Sequence, residues 1–600
     1  MKLIGIHDGH NASIAFMEDD VVKFALQEER LVRVKNAGGF PIQAMERGFS
    51  ELGWDIKDIE QFIFAGKDRG LHQTDDLSLI LKKYDSFFSP YSRHHANMWD
   101  KNASGKLSFV QSVKKTLKGK SGNKNVAKLP SEIEYWKTGD YDNTQLKRLQ
   151  PLLDQGVDIS KIAFLEHHLC HASAAAYGFE ATDRRLVITS DSYGDELSGT
   201  VSVLENGKLT RKHNIHHKNS LGRLYSLITY YLGLVPLEHE YKIMGMSPFA
   251  IDTKFAREIA DMFHGLFEYQ EDGFNFQLVD PHTSTKNLAP WLFEQLRFRR
   301  FDHISAGIQL FLEEFVTDWI SRLVKEYKCS ELSAAGGLFM NVKLNQRIRE
   351  LDGVNTINVF PSCGDETNVF GALYYAYNQK TNKLPEPLKS FYFGTSISEE
   401  DVLDGLRRID CDKHNLVYEK FDNIEEKVAE LISQNEVVAR CKGPMEFGAR
   451  ALGNRSIVAP ANSATAVTNI NKMIKKRDFW MPFAPSVVDS HKYVQDKEGQ
   501  FSPFMMQTFT AKPEHENDMI AVCQQYDKTC RVQDVTEEYN PDYYKLIKHY
   551  EKLTGFSVIM NTSFNLHGFP IVTNSFEALE VLVNSGLNYL AVGNYLVSKK

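Results

Sequence analysis

The stretch LIGIHDGHNASIAFMEDDVVKFALQ (Leu3–Gln27) reads as three short strands, Leu3–His7, Ala12–Met17 and Val21–Gln27, with Glu18-Asp19-Asp20 as the tight turn between the last two. The pattern returns at Leu186–Asp191, Gly199–Leu204 and Leu209–Ile215. There the hairpin holds Asn206-Gly207, a dipeptide that accepts the left-handed backbone of a two-residue turn. Each copy sets an Asp and a Gly in the bend after its first strand: Asp8-Gly9 in one, Asp191 with Gly194 in the other. A three-strand unit met twice, each time followed by helical sequence, predicts a duplicated α/β fold of the actin and sugar-kinase architecture. In that architecture a nucleotide lies between the halves. Two unrelated β-meanders are the alternative.

Outward from these units, helical periodicity covers about 41–53, 167–179, 222–233, 305–327, 341–350 and 367–378. The lysine-rich run 101–128 reads as a solvated insertion, with binding of an anionic substrate as the other option. Residues 379–387 (QKTNKLPEP) have linker composition, which divides the chain into 1–385 and 390–600. Two domains are what 600 residues call for.

A net charge of −8 argues against a general nucleic-acid grip. Without a bilayer-length apolar run or a signal peptide, a membrane partner is not expected. Seven scattered cysteines, with no Cys-x-x-Cys, fit a reducing cytoplasm.

Glu166-His167-His168-Leu169-Cys170-His171 opens an alanine-rich helical run after a strand at Lys161–Leu165. His167 and His171, four apart, share a helical face and can present two imidazoles to one ion, while His168 points about 100° away and reads as structural. Asp191, at the end of the repeated strand, and Asp365, between a strand and a helix, are the carboxylates that would complete such a site. Iron(II), manganese and zinc all suit two His and two Asp. Gly336 and Gly337, ahead of Asn341, would let a backbone approach a flat ring or a phosphate; a plain helix-start turn is the alternative. His10, in the first hairpin bend, is the candidate general base.

Further along, Arg440, Lys442, Arg450 and Arg455 are spread through a strand and a glycine-bearing turn rather than along a solvated face, a distribution that suits phosphate recognition. Lys475-Lys476-Arg477 continues the theme, and Ser563 and Asn565 follow a strand at Phe556–Met560. A structural ion-pair network is the competing reading.

At these residues the chain closely resembles the O-carbamoyltransferase family that includes nodulation-factor and antibiotic carbamoyltransferases. The matching segments, Gly5–Ser13, Glu28–Pro41, His167–His171, Gly336–Asn341, Gly364–Asp365, Gly443–Arg455, Phe479–Ser486 and Asn561–Asn565, run in order along the chain. The resemblance implies an N-terminal domain like that of enzymes placing threonylcarbamoyl on tRNA adenosine, and a C-terminal YrdC-like α/β domain. It implies ATP, with magnesium as its companion, and carbamoyl phosphate as co-substrates, a carbamoyladenylate intermediate, and a small hydroxylated molecule as acceptor. By that resemblance His167, His171, Asp191 and Asp365 fall on metal ligands, iron(II) being the expected ion. Arg440, Lys442, Ser563 and Asn565 fall on a nucleotide-binding basic pair and Ser-x-Asn. Lys442 and Arg450 take catalytic roles, and Gly336, Gly337, Asn341 and Arg455 bind the nucleotide.

Two positions depart from the pattern. Tyr241 stands where family members often carry Gly, and Trp480-Met481-Pro482 lacks an arginine often found there. An actin-fold kinase or ATPase, a threonylcarbamoyl transferase acting on tRNA, and a non-catalytic nucleotide-binding module are the alternatives. The acceptor is not encoded in any motif, and the oligomeric state is open, a homodimer being one option.

Overall fold

The computed structural model describes residues 1–68, 134–495 and 500–600; the lysine-rich run lies outside them. The first sheet contains β1 (Lys2–His7), β2 (Ser13–Glu18), β3 (Val21–Gln27), β4 (Gln61–Ala65), β5 (Trp136–Lys137) and β6 (Ile162–Leu165), in the order β3-β2-β1-β4-β6-β5. The second contains β7 (Arg184–Gly194), β8 (Leu197–Glu205) and β9 (Lys208–His216). After a small hairpin of β10 (Phe267–Tyr269) and β11 (Phe276–Leu278), it adds β12 (Glu331–Ala335) and β13 (Thr356–Val359), giving the order β9-β8-β7-β12-β13.

Apart from the edge strand β5, the two orders are the same. In each, the first strand pairs antiparallel with the second and parallel with the fourth, and a further parallel strand follows. The duplicated α/β fold read from the strand triplets is therefore present. In the hairpin between β8 and β9, Asn206 and Gly207 have φ of 51° and 76°, the left-handed pair the turn requires.

The central strands are apolar on both faces because helices cover both. Every residue of β4 and β6 is buried. The helix His167–Tyr177 follows β6, and Asn368–Thr381 follows β13, so the two helices are counterparts in the two copies. They pack against each other, with buried Ala172, Ala174 and Ala175 on one and Gly371 on the other. A Cβ on Gly371 would lie 1.7 Å from the Cys170 carbonyl oxygen, so only glycine permits this crossing.

The C-terminal part is built on an eight-stranded mixed sheet: β14 (Leu416–Lys420), β15 (Val438–Cys441), β16 (Arg455–Pro460), β17 (Ala484–Val487), β21 (Gln533–Asp534), β22 (Val558–Ser563), β23 (Tyr589–Val592) and β24 (Tyr595–Lys599). A three-stranded sheet of β18 (Val494–Gln495), β19 (Phe509–Ala511) and β20 (Thr529–Cys530) stands beside it.

The expected linker needs correcting at its start. Residues 379–381 are the last turn of Asn368–Thr381, because that helix runs on until Asn382 caps it in the left-handed conformation. Past it, Phe391 stacks on Phe370 (ring centres 5.7 Å apart), and Phe447 meets Phe370 edge-on at 5.1 Å. Phe447, Leu452, Ala484, Met505 and Met506 belong to the same apolar core as Leu3 and Ile188. The long helix also starts earlier than its periodicity suggests, spanning Phe301–Tyr327. Among the described residues, no helix is long and apolar enough to cross a membrane.

Candidate functional site

Four side chains from three elements meet in the cleft between the two copies. His167 and His171 lie on the first turns of their helix, Asp191 near the end of β7, and Asp365 in the turn that leads into Asn368–Thr381. The two imidazole Nε2 atoms are 3.1 Å apart. His167 Nε2 is 3.4 Å from both Asp191 Oδ2 and Asp365 Oδ1, and His171 Nε2 is 3.5 and 3.4 Å from the same atoms. All four donor atoms lie within 4.8 Å of one another.

A divalent ion with donors at about 2.1 Å needs neighbouring donors about 3.0 to 3.4 Å apart, and the His–His and His–Asp separations are close to that spacing. The buried Asp365 Oδ1 has no other hydrogen-bond partner, which a cation would remedy. Electrostatics agree. Burial opposes charging His167, yet Asp365 and Asp191 together lift its pKa well above the ordinary value. Burial likewise penalises the Asp365 charge, but His167 and His171 hold its pKa well below the ordinary carboxylate range. The pocket is thus arranged for positive charge between two carboxylates. Nitrogen and carboxylate donors suit several divalent transition metals and do not choose among them.

The helix start is fixed from behind. Glu166 caps it, accepting from the backbone N–H of His168 (3.2 Å) and Leu169 (2.7 Å), and Arg211 Nη2 donates to the same carboxylate at 2.6 Å. Asp195 accepts from the His167, Lys67 and Asp68 amides at 2.7, 2.9 and 2.7 Å. His168 turns away, its Nδ1 2.9 Å from Thr189 Oγ1, as the helical spacing predicted. Two glycines make room: a Cβ at Gly194 would sit 2.0 Å from His167 Cδ2, and one at Gly337 would sit 3.0 Å from Asp191 Oδ1.

One cavity of about 520 Å3 joins this tetrad to the C-terminal part. His10, His167, Asp191, Asp365, Gly337 and Asn341 line one side. Burial lowers the His10 pKa, so its imidazole is neutral near pH 7 and able to accept a proton. Asn341 is oriented by Gln309, whose Oε1 accepts from Asn341 Nδ2 at 2.8 Å. Gly336 sits behind this wall with φ of 103°, where a Cβ would be 2.3 Å from the Ser190 carbonyl oxygen.

The other side carries Arg450, Lys475, Arg477, Arg531, Ser563 and Asn565. Lys475 Nζ donates to Asn565 Oδ1 at 2.6 Å and Ser563 Oγ at 3.1 Å. Arg477 Nη2 donates to Thr562 Oγ1 at 3.0 Å. Arg450 Nε and Arg531 Nε are buried without a partner. Burial holds Lys475 well below the ordinary lysine pKa. Among the described residues, none of these four cations has a carboxylate within ion-pair distance.

Three cations expected at this site lie elsewhere. Lys442 Nζ is paired with Glu425 at 2.8 Å and Asp542 at 3.2 Å. Arg440 Nη2 reaches the same Glu425 at 3.4 Å, and its Nη1 donates to the Gly453 carbonyl at 2.8 Å and to Asn454 Oδ1 at 3.0 Å. Arg455 is fully buried and donates to backbone carbonyls, including Gly443 at 3.0 Å and Thr395 at 3.1 Å. None of the three lines the cavity. Arg531 was not expected; it follows β20 with no flanking glycine or second cation to mark it.

Against known families, residues 2–374 match the model described as carbamoyltransferase N-terminus, and residues 429–599 match carbamoyltransferase C-terminus. An uncharacterized protein of Synechocystis is 28% identical, covering 98% of this chain and 95% of its own. Nodulation protein NolNO of Sinorhizobium fredii is 30% identical over 74% of this chain and 65% of its own. Among solved structures, full-length HypF in its phosphate- and nucleotide-bound form aligns at 13% identity and a TM-score of 0.32, covering 64% of this chain and 56% of its own. That superposition is too loose to bear on the site.

Proposed function

The chain belongs to the carbamoyltransferase family, and we propose that it works as an ATP-dependent O-carbamoyltransferase on a small hydroxylated acceptor. The observation that carries this reading is the set of four cations without carboxylates (Arg450, Lys475, Arg477 and Arg531) opening into the same cavity as the His/Asp tetrad. Lys442 is held by two carboxylates, and Arg455 lies outside the cavity among backbone carbonyls. Cations that open into a cavity with neutral partners, two of them with an unpartnered Nε, are suited to an anion. Their chemistry fits the phosphoryl groups of ATP and carbamoyl phosphate, with Ser563 and Asn565 orienting Lys475. The nucleotide-binding and catalytic parts expected of Arg440, Lys442 and Arg455 pass in this reading to Lys475, Arg477 and Arg531. The C-terminal part then plays the role of a YrdC-like activation domain.

Carbamoyl phosphate, ATP and one water give carbamoyladenylate, phosphate and pyrophosphate; the water is needed because two phosphate-bearing groups leave. Adenosine supplies a binding handle that the small carbamoyl group lacks. The adenylate then lies across the cavity toward the tetrad, with Gly337 and Asn341 beside the nucleotide. The acceptor oxygen attacks the carbamoyl carbon, and AMP leaves with the electrons of the broken C–O bond. Neutral His10 takes the acceptor proton. His167, His171, Asp191 and Asp365 would hold a divalent ion, iron(II) being our expectation, which supplies a Lewis acid and a counter-charge for developing negative oxygen.

Incubation with ATP and carbamoyl phosphate tests the reading. Pyrophosphate and carbamoyladenylate are expected, with AMP following as the carbamoyl group is passed on; ADP as the nucleotide product would replace the reading with a kinase. The His171→Ala variant is expected to lose bound metal and carbamoyl transfer while still forming carbamoyladenylate and pyrophosphate. Normal transfer by that variant would remove the tetrad from the reaction.

A further inference from the structure

We infer that Tyr241 completes the anion site from the N-terminal part, its phenol hydroxyl donating a hydrogen bond to the phosphoryl groups that Arg450, Arg477 and Arg531 hold. This rests on the reading of those cations as the phosphate site.

The helix Glu240–Met246 is far in sequence from every one of those arginines, yet three contacts dock it beside them. Lys242 Nζ pairs with Asp478 Oδ2 at 3.0 Å, and Trp480 Nε1 donates to the Lys242 carbonyl at 3.1 Å. A Cβ at Gly245 would come within 2.7 Å of Met481 Sδ, so glycine permits close docking there too. Asp478 follows Arg477 directly, which sets residue 241 next to the arginine cluster. The helix is equally well fixed on its own side, where the Glu240 carboxylate accepts from Ser226 Oγ and the Leu237 amide, both at 2.8 Å.

Tyr241 lines the cavity together with Arg450, Arg477 and Arg531. It is 37% exposed. Its ring lies edge-on to His239, with centres 6.3 Å apart, which sets its direction. Among the described residues its hydroxyl makes no protein hydrogen bond.

Guanidiniums only donate, and they crowd like charge together. A phenol adds a donor to the bound anion without adding charge, and its oxygen can accept from an arginine at the same time. Such a hydroxyl, held by a docked helix and left without a protein partner, is placed for a ligand. The anion site is then whole only when both parts of the chain are in contact.

The test uses the full-length protein with inorganic pyrophosphate as the probe, titrated calorimetrically. The Tyr241→Phe variant is expected to bind it roughly tenfold more weakly than wild type, about 1.4 kcal/mol. Its melting temperature without ligand should be unchanged, since the lost hydroxyl has no protein partner. Equal affinity of variant and wild type, or a lower ligand-free melting temperature in the variant, overturns the role of Tyr241 alone. No binding by wild type removes the phosphate site itself. The Lys242→Ala variant loosens the docking but keeps the hydroxyl; if it weakens binding while Tyr241→Phe does not, only the helix position matters and the hydroxyl role is refuted.

Discussion

Lys475 shows at the scale of one residue how function and stability pull apart. It is 4% exposed and bonded only to neutral oxygens, so the fold carries a buried charge with no counter-charge. The Lys475→Met variant should therefore be more stable, by about 1 to 3 kcal/mol, and inactive in AMP formation. The sign of the pH dependence follows from burial lowering this pKa. The penalty is full below the folded-state pKa. It is relieved as pH rises from there toward the unfolded value near about 10.4, because the folded state sheds its proton first. The stability gap between variant and wild type should accordingly shrink with rising pH, as read from denaturant unfolding across a pH series; a gap that widens would contradict the buried-charge account. Gly194 gives the second case. A methyl group there would collide with His167, so Gly194→Ala should weaken metal binding by roughly 10- to 100-fold in an equilibrium titration while leaving pyrophosphate release from ATP intact.

Among the elements, the crossing of His167–Tyr177 with Asn368–Thr381 carries the tetrad, because three of its four donors sit on or just before these helices. A side chain at Gly371 would drive them apart. Gly371→Ala should cost about 1 to 3 kcal/mol by thermal or denaturant unfolding and release the bound metal, since a 1 Å shift spoils a shell of donors. Much of this was legible in the sequence. Strand alternation and Asn206-Gly207 encode local geometry, and an i, i+4 histidine pair encodes a helical face, so the duplicated triplet and three of the site's elements could be read directly. The cations could not be sorted in the same way. Lys442 and Lys475 look alike in sequence. They differ only because folding brings Glu425 against the first and Asn565 against the second, and neither neighbour is set by local pattern. Arg531 reaches the cavity through the packing of a small side sheet, which leaves no periodic trace.

Over the whole molecule, the seam between the two parts is tight. Apolar residues after 440 share a core with β1 and β7, and Asn345 Nδ2 donates to the Met506 carbonyl at 2.7 Å. Buried Arg30 donates to the Gly448 carbonyl at 2.6 Å. The chain should consequently unfold in one calorimetric transition, and a fragment ending at residue 385 should aggregate; two resolved transitions would show the parts to be independent. The duplicated fold holds one more lesson, in the two aspartates that end its matching first strands. Asp191 is one of the tetrad, whereas its counterpart Asp8 is engaged by Arg148 through two hydrogen bonds of 2.9 and 2.8 Å. Duplication supplies carboxylates in pairs, and here one stands among His167, His171 and Asp365 while its twin is tied to an arginine, so the two halves of the cleft are no longer equivalent.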